Sequence, residues 1–133
     1  MTTYPRLTCT RRAHHARTPL REVCFLIGHA GEVLWADAST SAVALPDSCE
    51  RWRAIWERRA VLAEIAHSHP VGPAAFSAED LSTMAALDAA LGTPLRYSVV
   101  APRAMIARSA GRVHSLDHEP WWARVLRLAS GMR

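Results

Sequence analysis

The chain has 133 residues, of which 50% are hydrophobic and 21% are charged. This length and balance are typical of one globular domain with a proper core, and they exclude a disordered chain. Sixteen basic residues, all of them arginine, against twelve acidic residues give a net charge of +4. The arginines are spread along the chain, which does not indicate a patch that binds nucleic acid. We therefore expect a single domain over residues 1–133.

No apolar run approaches the ~20 residues needed to cross a bilayer, and Met1 to Arg17 lacks the apolar core of a signal peptide. We expect a cytoplasmic protein with no membrane partner. The three cysteines, Cys9, Cys24 and Cys49, form no Cys-x-x-Cys pair. We expect them to be reduced, buried thiols, because an odd number without such spacing favours neither disulfides nor a thiolate metal site.

The first half of the chain predicts a hairpin, a helix and a buried strand. The strand pattern of 22–28 is largely apolar, and 29–31 can turn the chain back antiparallel. Asp47 and Glu50 have the form of a capping box for the helix that follows. The predicted elements are a helix over 10–17, strands over 22–28, 32–37 and 41–45, a helix over 48–59 and a strand over 61–66.

The second half predicts a capped helix, three short strands and a terminal helix. Ser77 can cap a helix that Gly92 and Pro94 end. The predicted elements are a loop over 71–76, a helix over 78–91, strands over 95–101, 104–109 and 112–116, and an amphipathic helix over about 119–130. Strands and helices interleave, so we predict an α/β or α+β fold with one mixed sheet flanked by helices.

Three residues near the centre of the chain have the chemistry of a metal site. His67 and His69 are two apart, so an extended backbone places both imidazoles on one face. Asp80 falls in the first turn of the next helix, where the loop can fold it back toward the histidines. Two imidazoles and one carboxylate suit zinc, with a fourth position left to water, and such an open site is typical of catalysis.

Each of these residues also has a structural explanation. A histidine at a strand end is more often a core or surface residue than a ligand. Ser77 and Asp80 form a capping box, in which Asp80 would only satisfy the helix N-terminus. The residue types alone therefore leave both interpretations open.

The joint spacing resembles that of a known family. His67-Ser68-His69-Pro70, then six residues, then Ser77-x-x-Asp80 matches the metal motif of the prokaryotic JAMM/MPN (JAB-domain) zinc metalloproteases, which is His-x-His, seven residues, Ser, two residues, Asp. The segment that starts at Glu22-Val23-Cys24 is similar to the upstream strand that carries the family's catalytic glutamate.

This resemblance implies an MPN-like, cytidine-deaminase-like fold and a zinc ion held by His67, His69 and Asp80. It also implies that Glu22 is the general base and that Ser77 stabilises the oxyanion. Ser68 and Pro70 would shape the loop, with Ser68 supporting the ligands. The implied activity is that of a deubiquitinase-like peptidase. Such an enzyme cleaves a peptide or isopeptide bond at the C-terminus of a ubiquitin-like or sulfur-carrier protein.

Two other glutamates compete with Glu22 for the role of base. Glu64 is three residues from His67 on the same predicted strand, so its side chain should point to the opposite face. Glu79 adjoins Asp80 and should point elsewhere. Glu22 lies in an apolar strand, where a buried carboxylate without a purpose is disfavoured. We therefore prefer Glu22.

The remaining histidines lack ligand spacing to this set, and the tryptophans at helical spacing favour core positions. These residues are His14, His15, His29, His114, His118, Trp52, Trp56, Trp121 and Trp122.

Two other functions remain open. The chain could be a catalytically silent MPN-like scaffold, which a zinc measurement would test. A relative associated with DNA repair is less favoured, because the basic residues are scattered. The sequence leaves the oligomeric state open.

Overall fold

The computed structural model describes residues 18–133, which form one six-stranded mixed sheet and three helices. The strands are β1 (Val23–Gly28), β2 (Val33–Ala38), β3 (Leu62–Ser68), β4 (Arg96–Val100), β5 (Met105–Ser109) and β6 (Arg112–Ser115). The helices are α1 (Cys49–Arg58), α2 (Ala78–Leu91) and α3 (Trp121–Ala129). This α+β fold confirms the predicted class and agrees with an MPN-like domain. The helix predicted over 10–17 lies outside the described residues.

The strand order in the sheet is β2-β1-β3-β4-β5-β6. β3 and β4 pair in parallel and α2 connects them, whereas every other neighbouring pair is antiparallel. β1 and β3 lie next to each other in the interior of the sheet, and all six residues of β1 are buried. The predicted hairpin of β1 and β2 and the predicted central strand β3 are thus confirmed.

Alternate residues of the central strands enter two separate cores, one on each face of the sheet. α3 covers one face, which we call the α3 face, and α1 and α2 cover the other, which we call the site face. The α3 face contains Val23, Phe25, Ile27, Ala66, Val100, Met105, Trp122, Ala123 and Leu126. The site face contains Cys24, Leu26, Ala54, Ile55, Leu62, Ile65, Met84, Leu87 and Tyr97.

Two expectations for the segment between β2 and α1 are wrong. The strand predicted over 41–45 is an irregular segment instead. The Ser39 hydroxyl contacts the carbonyl oxygens of Ser41 and Ala44, both at 2.7 Å, and such local bonds compete with regular pairing. The N-cap of α1 is Ser48 and not Asp47, and the Ser48 hydroxyl accepts from the backbone N–H of Arg51. The third helical position is then Arg51, whose side chain cannot accept a hydrogen bond, so the capping box predicted from Asp47 and Glu50 does not form.

The tryptophans and cysteines divide between core and surface. Trp122 and Cys24 are buried as expected, but Trp52, Trp56, Trp121 and Cys49 are exposed. Helical periodicity identifies an apolar stripe but not which neighbour covers it, and α1 and α3 each have one covered face. Cys9 lies outside the described residues. Among residues 18–133, no helix is both long and apolar enough to span a membrane.

Candidate metal centre

The end of β3 carries His67 and His69 on the site face. His67 pairs with Cys24 of the neighbouring strand β1. One residue beyond the end of β3, the His69 backbone N–H donates to the carbonyl oxygen of Val100 in β4 at 2.9 Å. The extended backbone therefore lasts through His69, and the two rings point the same way, as the spacing predicts. Their Nε2 atoms lie 3.0 Å apart.

The orientation of the His69 ring follows from a second hydrogen bond. Its Nδ1 lies 3.0 Å from the carbonyl oxygen of Pro73. A carbonyl oxygen can only accept, so Nδ1 carries the hydrogen. In the neutral ring, Nε2 then presents a lone pair toward His67, which is the tautomer that a metal ligand needs.

Asp80 reaches the same point from the N-terminus of α2. Its Oδ2 is 3.2 Å from His67 Nε2 and 3.4 Å from His69 Nε2. The same oxygen accepts from the Ser77 backbone N–H at 2.9 Å, while the Ser77 hydroxyl accepts from the Asp80 N–H at 3.0 Å. The capping box is therefore present. It does not compete with the candidate metal site for Asp80, because the same bonds that cap the helix fix the carboxylate that faces the histidines.

The three donor atoms fit a tetrahedral metal ion. Ligand distances of about 2.0–2.1 Å, as zinc prefers, place the ligands of a tetrahedron about 3.3 Å from one another. The observed separations are 3.0, 3.2 and 3.4 Å. Within residues 18–133, His67, His69 and Asp80 form the one group of side chains so arranged. The geometry leaves the identity of the ion open.

The charges of this cluster are strongly coupled. Burial alone would raise the pKa of Asp80, but hydrogen bonds with His67 and His69 outweigh it and hold that pKa well below its usual range. Burial alone would lower the pKa of His69, but its bonds to Asp80 and to the Pro73 carbonyl raise that pKa overall. Asp80 is therefore an anion at neutral pH, ready to serve as a ligand.

Glu22 stands directly before β1 and faces the same cluster. Its side chain is 8% exposed, and Oε1 lies 3.8 Å from His69 Nε2. Its backbone is fixed by two bonds to the irregular segment, since its N–H donates to Ser41 O and its carbonyl accepts from Ser39 N–H. Burial raises the pKa of Glu22, and the nearby His67 and His69 offset part of that rise. A carboxylate with a raised pKa beside a metal site suits general-base chemistry.

The two competing glutamates lie elsewhere. Glu64 is on the α3 face, as expected, where it accepts a short hydrogen bond from the Ser98 hydroxyl and pairs with Arg96. Glu79 is exposed but borders the same cavity as Glu22, so the expectation that it points away from the site is wrong. Only Glu22 is both buried and close to a ligand nitrogen.

A cavity of about 650 Å³ opens beside the cluster. Glu22, Ser77 and the three candidate ligands line it. Its apolar wall includes Val43, Leu45, Trp52, Ile55 and Phe76. Sequence reasoning did not place these wall residues at the site. Three of them lie on the irregular segment or in the loop before α2, and helical spacing assigned Trp52 to the core.

Ser68 differs from its expected role in support of the ligands. Because β-strand residues alternate, its side chain leaves the strand on the α3 face, opposite both histidines. It is fully buried there and accepts a hydrogen bond from the Val23 backbone N–H at 2.9 Å. The alternation of side chains along β3, which predicts that both histidines share one face, also predicts that Ser68 lies on the opposite face.

The fold and this cluster together define an α+β domain with a candidate three-ligand metal centre at the end of a central strand. Residues 8–119 match the family model described as prokaryotic homologs of the JAB domain, and the chain belongs to that family. None of the curated proteins compared with the chain matches it.

Proposed function

We propose that the chain is a zinc-dependent peptidase that cleaves the peptide or isopeptide bond at the C-terminus of a ubiquitin-like or sulfur-carrier protein. The observation that carries the proposal is the buried Glu22 carboxylate, 3.8 Å from one of three convergent ligand atoms. A metal-binding scaffold would need the ligands but would gain nothing from that carboxylate, whose burial is unfavourable.

His67, His69 and Asp80 would hold the ion, which supplies Lewis-acid activation of water and of the substrate carbonyl. Glu22 would take a proton from the attacking water and return it to the leaving amine, which is the usual work of a carboxylate base. Burial raises the pKa of Glu22, which makes its carboxylate a stronger base than a solvent-exposed glutamate.

Ser77 would stabilise the oxyanion of the tetrahedral intermediate. Its oxygen accepts from the Asp80 N–H, so its own hydroxyl hydrogen is free to point into the cavity that it lines. The position at the N-terminus of α2 adds the positive potential of the unpaired backbone N–H groups.

The cavity supports a flexible protein tail as the substrate. It is open and largely apolar beside the cluster, and exposed side chains such as Val43 and Trp52 border it. An extended C-terminal tail presents alternate side chains to such a groove. The acidic residues Asp47 and Glu79 also border the cavity, which disfavours the DNA-associated alternative because DNA is an anion.

Zinc content and cleavage test the proposal together. We expect one zinc per chain in the wild type and loss of the ion in His69→Ala. We expect cleavage of fusions of ubiquitin-like proteins by the wild type, and an inactive Glu22→Ala that keeps its zinc. Absence of zinc at neutral pH would refute the peptidase and favour the silent scaffold. Bound zinc without cleavage would refute the proposed substrate.

A further inference from the structure

Two buried serines on the α3 face connect the C-terminal helix to the backbone beside Glu22. Ser68 of β3 and Ser130, at the end of α3, are both fully buried. Their Oγ atoms lie 2.6 Å apart, and Ser130 Oγ also lies 2.7 Å from the Leu126 carbonyl oxygen. These contacts lie across the sheet from the candidate metal ligands.

The hydrogen atoms in this series of hydrogen bonds can be assigned in one consistent way. A carbonyl oxygen only accepts, so the single hydroxyl hydrogen of Ser130 points to Leu126. Ser68 then donates to Ser130 and accepts from the Val23 N–H, 2.9 Å away. The series Val23 N–H, Ser68 O–H, Ser130 O–H, Leu126 carbonyl uses every hydrogen once. A fully satisfied buried series of this kind rigidifies what it joins.

The end of α3 also holds the residues on the other side of Glu22. The Arg21 backbone N–H donates to the Ser130 carbonyl at 3.1 Å, and Arg21 Nε donates to the Ala129 carbonyl at 3.0 Å. Gly131 packs so closely that a Cβ atom there would lie 2.6 Å from the Thr18 carbonyl oxygen. Arg21 is therefore bonded directly to the turn that ends α3, and Val23 is joined to the same turn through Ser68 and Ser130.

We propose that Ser68 and Ser130 are positioning residues for Glu22. The first backbone pair between β1 and β3 joins Cys24 and His67, so the ladder stops one residue short of Val23. Ser68 replaces the missing ladder partner and fixes the peptide that follows Glu22. Hydrogen bonds then hold the backbone on both sides of Glu22, and its carboxylate faces His69. The inference rests on the proposed function, because it assigns positioning to the base of that reaction.

Activity tests this role with Ser68→Ala and Ser130→Ala. Displacement of a reacting group by about 1 Å can lower a rate about 100-fold, so we expect kcat to fall at least about tenfold in each variant. Zinc content and KM should stay at wild-type values, since both serine side chains lie on the α3 face, away from the side chains of the candidate ligands, and neither lines the cavity. The double variant should lose no more than the worse single variant, because both changes break one series.

Ser98→Ala is the matched control. Ser98 is an equally buried serine on the neighbouring strand β4, and its hydroxyl serves Glu64 instead of the site. It should lose stability but keep its kcat. Equal kcat in Ser68→Ala, Ser130→Ala and Ser98→Ala would overturn the proposal, as would loss of zinc in the two positioning variants.

Hydrogen exchange separates this inference from the proposed activity. The Val23 amide should exchange at least about tenfold faster in metal-free Ser68→Ala and Ser130→Ala, while the amides in the middle of β1 keep their protection. That result supports the series of bonds even in a chain that cleaves nothing. An unchanged Val23 amide in both variants would refute it, whatever the activity.

Discussion

Each face of the sheet has one buried glutamate, and the two carboxylates have different surroundings. On the α3 face, Glu64 accepts a hydrogen bond from Ser98 and pairs with Arg96. On the site face, Glu22 has two histidines nearby and an open cavity, and burial raises its pKa. Counted over the whole residue, Glu64 is 9% exposed and Glu22 is 6% exposed, so burial does not distinguish them. Glu64 is thus paired within the fold, whereas Glu22 faces the cavity, where it can serve as the base that we propose.

Substitution of each carboxylate by its amide would sharpen this comparison most. Glu22→Gln should lower kcat about a thousandfold, because it removes the proposed general base but not the candidate ligands. Its melting temperature should equal or exceed that of the wild type, because a poorly solvated charge is removed. Glu64→Gln should keep kcat and melt at a lower temperature. Kinetics and thermal unfolding of the two variants measure both effects, and the reverse pattern would exchange the roles that we assign.

The sequence predicted the grouping of His67, His69 and Asp80, which the structure brings together, better than it predicted the surroundings of that group, and the reason is distance along the chain. The ligands and Ser77 lie within one strand, one loop and one helix turn, and alternation and capping fix each of them locally. Glu22 required the resemblance, because its approach to His69 depends on the pairing of β1 with β3. The exclusion of Glu64 did follow from alternation, which places its side chain on the face opposite His67.

The cavity wall could not be predicted for a different reason. The segment between β2 and α1 reads as a strand from its composition, but serine hydroxyls bind its backbone locally and give it an irregular path. Its bonds to Glu22 come from residues about twenty positions away. The exposure of Trp56 depends on how α1 sits on the sheet, which periodicity does not report.

Two aspartates on α2 extend the comparison to metal binding. Asp80 faces the histidines, whereas Asp88 accepts hydrogen bonds from the Tyr97 hydroxyl at 2.7 Å and the Leu95 N–H at 3.2 Å. Zinc at about 100 times its Kd should stabilise the wild type by about 2.7 kcal/mol, and a chelator should remove this gain. Asp80→Asn should abolish the gain but keep the helix cap, since Ser77 remains the N-cap and the side-chain oxygen of asparagine can still accept from the Ser77 N–H.

Asp88→Asn is the control in the same helix. It should melt at a lower temperature with and without zinc, because it weakens the bond from Tyr97, but the gain from zinc should persist. Differential scanning fluorimetry with and without a chelator measures both variants. A gain from zinc that survives in Asp80→Asn would remove Asp80 from the ligand set.

The smallest expected effect is an alkaline loss of stability that originates on the site face. Burial raises the pKa of the Cys24 thiol from 9.0 to about 12, and burial and the bond to Asp88 also raise the pKa of Tyr97. The folded chain holds these protons more tightly than the unfolded chain does. Their contribution to stability is therefore complete below pH 9 and is lost as the pH rises toward 12.

Cys24→Ala should be less stable than the wild type at neutral pH, because it leaves a small void, yet its stability should fall less steeply above pH 9. Cys49→Ala is the control, because it removes an exposed thiol outside the core. Urea unfolding of the metal-free proteins between pH 7 and 11 gives the slopes. Identical slopes for the two variants would mean that Cys24 does not account for the alkaline loss.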